Sequence, residues 1–231
     1  MTDQKSLSFG VLLLPGFQIL DAVGPVDFIN SHSQQFLKFV SLAPSSLVAK
    51  APSIEWHYIS HSLEPVQTTS FPVQHPTTTF KECPKLDYLI VPGADSTTPL
   101  PEGCAEWLKH IFEKDLGGLL LICVGSLSVA RSSNILDGLH VATNKMGLKM
   151  MVPTPHYDNL KKVKWVGDKR WVVDGKVWST GGVTSGIDLA AEFVRRTFDP
   201  EVVTLAKNLM EYTGRPDAPD EFAFILDGVP L

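Results

Sequence analysis

Cysteine is scarce in this chain: Cys83, Cys104 and Cys123 are the only three among 231 residues. An odd, sparse set with no C-x-x-C spacing argues against a disulfide framework and against a structural zinc site, and it points to a reducing compartment. Long apolar runs are missing too. None approaches the ~20 residues that span a bilayer, and residues 1–8 are polar with no signal-peptide pattern. The expectation is a cytoplasmic protein with no membrane partner. Positive charge is not in excess: the net charge is −5, and the densest basic stretch, Lys161, Lys162 and Lys164, reads as a solvated surface. Nucleic acid is therefore not an expected partner. No Gly-Lys-Ser/Thr phosphate loop and no H-E-x-x-H occurs. His57 and His61 are four apart, but in a strand-and-loop segment where that spacing does not put both rings on one helical face, so no metal is expected. Repeats and low-complexity linkers are also absent. A single domain over residues 1–231 is expected, with the Pro- and Asp-rich tail, 215–231, docked on the body.

What is present is an ordinary globular composition, 44% hydrophobic and 19% charged, in a chain long enough for one sizeable core. Short apolar runs read as strands at 9–14, 36–42, 56–59, 88–91, 119–122, 139–143 and 177–180. Residues 164–166 and 171–173 read as a hairpin around Gly167-Asp168. The rest of 43–70, outside the strand at 56–59, reads as an insertion or edge hairpin, and 73–80 as an edge element. Helical spacing appears in 17–30, broken or restarted at Gly24-Pro25, and in 106–114, 126–134, 187–198 and 201–212. Strands alternating with helices predict a mostly parallel sheet covered on both faces.

The segment 118–127, Gly-Leu-Leu-Leu-Ile-Cys-Val-Gly-Ser-Leu, organises the rest. An apolar run stops at Cys123 and a helix follows, which is the pattern of a strand-to-helix elbow. A cysteine at such a helix start is expected to ionise more easily than a free thiol. Two readings stand: a nucleophile, or a small buried hydrophobe packed under the helix. Asp21, among apolar residues before Gly24-Pro25, is either a helix cap or a carboxylate aimed into a pocket. Pro92-Gly93-Ala94 turns at the carboxyl end of a strand, where parallel sheets bind ligands and where Gly93 admits close backbone approach. The loop 181–186 opens a helix and reads as close packing beside the elbow. Lys145 reads as a surface lysine or as an electrostatic group near the site. Phe17, Trp165 and Trp178 read as core or as pocket walls, and Cys83 and Cys104 as structural or surface thiols.

Taken in order, five pieces resemble the DJ-1/PfpI superfamily, also called class I glutamine amidotransferase-like, and within it the isonitrile hydratase-like and fungal ThiJ/PfpI branch. They are Leu12-Leu13-Leu14-Pro15-Gly16-Phe17 with Leu20-Asp21-Ala22-Val23-Gly24-Pro25; Leu89-Ile90-Val91-Pro92-Gly93; Ile122-Cys123-Val124-Gly125-Ser126; Leu136-Asp137-Gly138 with Ala142-Thr143-Asn144-Lys145; and Thr180-Gly181-Gly182-Val183-Thr184-Ser185-Gly186-Ile187-Asp188. The resemblance implies a flavodoxin-like α/β sandwich with a cysteine nucleophile elbow. It implies Cys123 as nucleophile, Asp21 as its acid–base partner, and oxyanion donors at the backbone of Gly93 and Val124. It places Gly16, Phe17, Ala94, Gly125, Asn144, Lys145, Gly182 and Val183 around the pocket. It further implies a homodimer, a small electrophilic organic substrate and no cofactor.

Three departures bear on the reaction. Val124 stands where the hydratase branch carries threonine. Asn144-Lys145-Met146 stands where the branch related to transcriptional regulators has Thr-His-Trp, so the histidine partner of the cysteine is absent there. Ala94 stands where many relatives have a second glycine. The reactions implied are isonitrile hydration, a glyoxalase-like conversion of a 2-oxoaldehyde, or a specialised biosynthetic step. A redox-sensing or chaperone-like protein is the alternative of another class.

Overall fold

The computed structural model describes residues 6–41 and 43–231. In chain order the first elements are β1 (Ser6–Leu12), α1 (Ile19–Asn30), α2 (Gln34–Val40), α3 (Ser45–Val48) and β2 (Ser53–Ser60). Three short strands follow, β3 (Val66–Gln67), β4 (Val73–Gln74) and β5 (Thr78–Thr79), then β6 (Tyr88–Val91), α4 (Cys104–Lys114), β7 (Gly118–Leu121) and α5 (Gly125–Ser132). The last third holds β8 (His140–Val141), α6 (Lys145–Met151), β9 (Lys164–Trp165), β10 (Trp171–Asp174), β11 (Val177–Thr180), α7 (Ser185–Thr197) and α8 (Pro200–Leu209).

Seven strands form the central sheet in the order β10-β11-β7-β6-β1-β2-β5. Every pairing is parallel except the edge pair β10–β11. This is the flavodoxin-like sandwich, and the period-2 alternation of strand side chains explains its two covered faces. Leu89, Val91, Leu119 and Leu121 point to one face, where they meet Leu108 of α4, Leu127 of α5 and Leu148 of α6. Ile90, Leu120 and Ile122 point to the other, onto Phe28 of α1 and Leu189 and Phe193 of α7.

Several elements differ from the sequence expectation. Residues 36–40 belong to a helix, α2, not a strand, and Leu42 lies outside the described residues. Ser33 caps this helix by accepting from the Phe36 amide at 3.1 Å, and Leu37 is buried while Phe39 is exposed. The strand expected at 56–59 is longer, Ser53–Ser60, and pairs with β1 from Ser53 to Ile59. Helix α1 runs unbroken through Gly24-Pro25. That dipeptide serves close packing: a Cβ on Gly24 would lie 3.0 Å from Ile187 Cγ1, and one on Gly186 would lie 3.3 Å from Pro25 Cγ. Finally, β9 does not form a hairpin with β10 but pairs parallel with β8, His140 opposite Lys164.

Candidate active site

The carboxyl end of β7 builds the elbow. Cys123 has φ +57°, in the left-handed region that side chains rarely occupy, so the surroundings must hold it there. Its amide donates to Thr180 Oγ1 at 3.3 Å. Its carbonyl accepts from Thr143 Oγ1 at 3.0 Å, Ser126 Oγ at 3.3 Å and the Asn144 amide at 3.3 Å. Gly125 is required by close approach, since a Cβ there would sit 2.5 Å from the Val91 carbonyl oxygen. Thr143 and Thr180 were not expected to brace the elbow. Their one sequence signal is position, Thr180 as the last residue of β11 and Thr143 just beyond β8.

Asp21 is fully buried in the first turn of α1 and makes no helix cap. The start of α1 is tied to the turn after β6, where the Gln18 amide donates to the Gly93 carbonyl at 2.7 Å. In return the Gly93 amide donates to Asp21 Oδ2 at 2.9 Å. Only glycine fits this approach, because a Cβ would lie 2.8 Å from that oxygen. Asp21 Oδ1 has no hydrogen-bond partner. Burial pushes the carboxyl up to about 7, against the opposing pull of the Gly93 amide and the Cys123 thiol. The Gly93 amide, expected as an oxyanion donor, is thus already bound to Asp21.

Cys123 is buried beside this carboxyl. Its thiol is pushed up to about 12, first by burial and then by the Asp21 charge, while the Val124 amide and the Asn144 side chain pull the other way. The expectation of an easily ionised cysteine is therefore overturned. Desolvation and a neighbouring carboxylate outweigh the helix start.

The remaining expected residues scatter. Gly16 takes a turn at φ +68°. Phe17 is buried in a small cluster with Val11, Leu13, Ala22 and Val66, so it is core. Trp178 is core as well, edge-on to Phe193. Ala94 lines a cavity of about 560 Å³ together with Leu14, Pro15, Leu100 and Ser128, outside the ends of β1 and β6. Val183 packs in the cluster that contains Cys123, and Gly182 borders open space. Lys145 is not a surface lysine: it is buried, with its ammonium 2.5 Å from Asp220 Oδ2 and 3.1 Å from the Lys169 carbonyl. Asp220 comes from the tail, which is also tied down by the Arg170 amide donating to the Asp217 carbonyl at 2.6 Å. Nearby, Arg170 Nε donates to Asp188 Oδ2 at 2.6 Å, and the Tyr212 hydroxyl donates to the other oxygen of Asp188.

An α/β sandwich that holds a cysteine at positive φ on a strand-to-helix elbow, with a buried carboxyl against it, defines a class of elbow-cysteine proteins. Comparisons with known proteins show what this chain is similar to. No family model matches the chain. In sequence it is 29% identical over 213 residues to isonitrile hydratase from Pseudomonas putida, covering 91% of this chain and 81% of that protein. Its fold matches a ThiJ/PfpI family protein from Pseudomonas syringae with a TM-score of 0.68 at 20% identity, over 94% of this chain and 79% of the other. It matches DJ-1beta of Drosophila melanogaster equally well, TM-score 0.68 at 16% identity, over 90% and 99% of the two chains. In sequence and in fold the chain is similar to proteins of the DJ-1/PfpI superfamily. Among the described residues no helix is long and apolar enough to cross a membrane.

Proposed function

We propose that this protein is a cofactor-independent enzyme that uses Cys123 as nucleophile and Asp21 as acid and base on a small electrophilic organic substrate, an isonitrile in the first instance. The observation that carries this reading is the state of Asp21. With Oδ2 accepting the Gly93 amide, a proton on the carboxyl belongs on the unpartnered Oδ1, and a carboxyl near 7 both gives and takes a proton at neutral pH. Sulfur adds to the terminal isonitrile carbon as that carbon takes a proton from Asp21, and the thiol proton replaces the one Asp21 gave. The product is a thioimidate. Water then adds across its C=N bond, the C–S bond breaks, and the thiol re-forms as an N-substituted formamide leaves. A free thiolate is never stored in this scheme, which suits a thiol pushed as high as that of Cys123. The same property weighs against a redox sensor, because oxidation follows thiolate character and exposure.

The relative in Pseudomonas putida supports the hydratase reading; Val124, which offers no hydroxyl beside the sulfur, favours a second. A 2-oxoaldehyde adds the thiol as a hemithioacetal, a proton moves from the aldehyde carbon to its neighbour, and the thioester so formed hydrolyses to a 2-hydroxy acid. The enzyme is further proposed to work as a single-domain homodimer in the cytoplasm. Exposed Leu20 and Val23 on α1 offer apolar surface for the dimer contact, and light scattering tests the mass in solution. To test the chemistry, purified protein is given cyclohexyl isocyanide and methylglyoxal separately, with formamide and lactate followed by NMR. One product, abolished in Cys123→Ser and reduced at least a hundredfold in Asp21→Asn, is expected. Full turnover in Cys123→Ser would sink the nucleophile.

A further inference from the structure

The Gly93 amide is held by Asp21 Oδ2, which leaves the Val124 amide as the backbone donor near the Cys123 sulfur. A second donor comes from a residue with a different evident task. Asn144 is the N-cap of α6, and its Oδ1 accepts from the Gly147 amide at 2.9 Å. That bond settles which end of the side-chain amide is which, since oxygen and nitrogen are assigned from their partners. With Oδ1 turned to Gly147, Nδ2 is the end left for the elbow. The Asn144 backbone is fastened to the same place, its own amide donating to the Cys123 carbonyl at 3.3 Å, and Thr143 Oγ1 reaches that carbonyl at 3.0 Å. Gly147 closes the arrangement from behind: its Cα is so near Val124 that a Cβ would lie 2.6 Å from Val124 Cγ1. Asn144 is thus set beside Cys123 and Val124 by two contacts of its own, its amide on the Cys123 carbonyl and its Oδ1 on the Gly147 amide, and its side chain favours the ionised form of the thiol.

We propose that Asn144 is a catalytic residue, whose Nδ2 pairs with the Val124 amide to stabilise negative charge on the Cys123 sulfur as the thiol gives up its proton. The proposal rests on Cys123 as the reacting group and assigns the donor role that Gly93 is not free to fill. Its physical basis is that two oriented donors in a buried site stabilise an anion without reorganising when it forms. The sulfur carries that charge only while the thiol proton is in transit, so loss of Nδ2 slows the chemical step and leaves substrate binding alone.

The cap and the donor are separable. Aspartate and serine cap helices as well as asparagine does, but neither offers an N–H to the sulfur. Asn144→Asp and Asn144→Ser are compared with wild type in two measurements: iodoacetamide modification of Cys123 at pH 9, followed by peptide mass spectrometry, and steady-state kinetics on cyclohexyl isocyanide or methylglyoxal, whichever turns over. Alkylation is expected to slow about threefold in Asn144→Ser and at least tenfold in Asn144→Asp, which adds a negative charge. The kcat should fall in the same order with KM unmoved. Unchanged melting temperatures in both variants would confirm that the cap survives. Wild-type alkylation and kcat in both variants would overturn the proposal and leave Asn144 as a cap alone. The alkylation arm does not depend on turnover, so it decides the role of Asn144 even if Cys123→Ser shows that the reaction proceeds without the sulfur.

Discussion

The carboxyl of Asp21 and the thiol of Cys123 act on each other: the thiol helps hold the carboxylate, and the carboxylate disfavours the thiolate. Two interacting groups of this kind titrate as a pair. The first consequence concerns reactivity. Cys123 should alkylate slowly at pH 8, and Asp21→Asn should speed it at least tenfold at pH 9 by removing the opposing charge. At pH 6, where Asp21 is already largely protonated, the substitution should change the rate much less. Peptide-resolved iodoacetamide kinetics separate Cys123 from Cys83 and Cys104, whose thiols burial also pushes up, to about 11 and about 12. A rate indifferent to Asp21 at both pH values would mean that the two groups do not share a site.

The same carboxyl makes stability depend on pH. In the unfolded chain Asp21 ionises near 3.8, whereas in the fold it keeps its proton to about 7. Its favourable contribution is complete below pH 4 and is lost as pH rises to 7, because only the unfolded state gains from ionising over that interval. At ~1.4 kcal/mol per tenfold change, the loss is on the order of 4 kcal/mol above pH 7. Asp21→Asn should therefore be more stable than wild type at pH 8 by up to that amount, with the gap shrinking toward zero near pH 4. Buried His32 works in the opposite sense: burial pushes it down to about 4, so its contribution fades as pH falls from 6.5 toward 4. It is common to both proteins and cancels in the comparison. Urea unfolding at pH 4, 6 and 8 measures the gap, and a gap that does not change with pH would show that Asp21 is not protonated in the fold.

What the sequence showed of this fold follows from side-chain period. Leu119 and Leu121 against Leu120 and Ile122 announce a strand buried on both faces, and the run stops at Cys123, so the sheet and its elbow are legible locally. Helix α2 was not. Phe36, Leu37, Phe39 and Val40 are as apolar as a strand, and the distinguishing signal is one capping hydroxyl at Ser33. The burial of Asp21 beside the elbow was signalled only through the resemblance, since an aspartate in a first helical turn looks locally like any cap. The state of Cys123 was misread because it depends on burial and on a carboxylate 102 residues earlier in the chain. Lys145 was misplaced for a similar reason, its partner Asp220 being 75 residues away.

That pair supports the third prediction. Lys145 and Asp220 are both buried, and their contact fastens the tail to α6 directly after Asn144. Taking one member away leaves the other charge buried without a partner, which costs about 3–5 kcal/mol, whereas replacing both with apolar residues of similar size is often neutral. Asp220→Asn should lower stability by that order and open the tail to limited proteolysis between residues 213 and 222. Lys145→Met with Asp220→Leu should recover most of the loss. A double variant as unstable as the single one would mean that the tail is held chiefly by its backbone bonds and by the Arg170–Asp188–Tyr212 cluster.

Val124 and Gly147 fit each other as a wedge and a notch. The two methyls of Val124 lie where a Cβ on Gly147 would approach within 2.6 Å of Cγ1 and one on Gly93 within 3.0 Å of Cγ2. Alanine within a helix is ordinarily better than glycine by up to about 1 kcal/mol, so Gly147→Ala, in the first turn of α6, should stabilise the helix if the notch were unimportant. The collision with a β-branched side chain on the rigid elbow reverses the sign, and overpacking of this kind costs about 1–3 kcal/mol. The loss should be relieved by Val124→Ala in the same molecule, giving a favourable coupling of at least ~1 kcal/mol in a double-mutant cycle. Because the wedge sits on the residue after Cys123, Gly147→Ala should also slow Cys123 alkylation, and the double variant should restore it. Additive effects in both measurements would show that the glycine serves the helix alone and that the elbow does not depend on it.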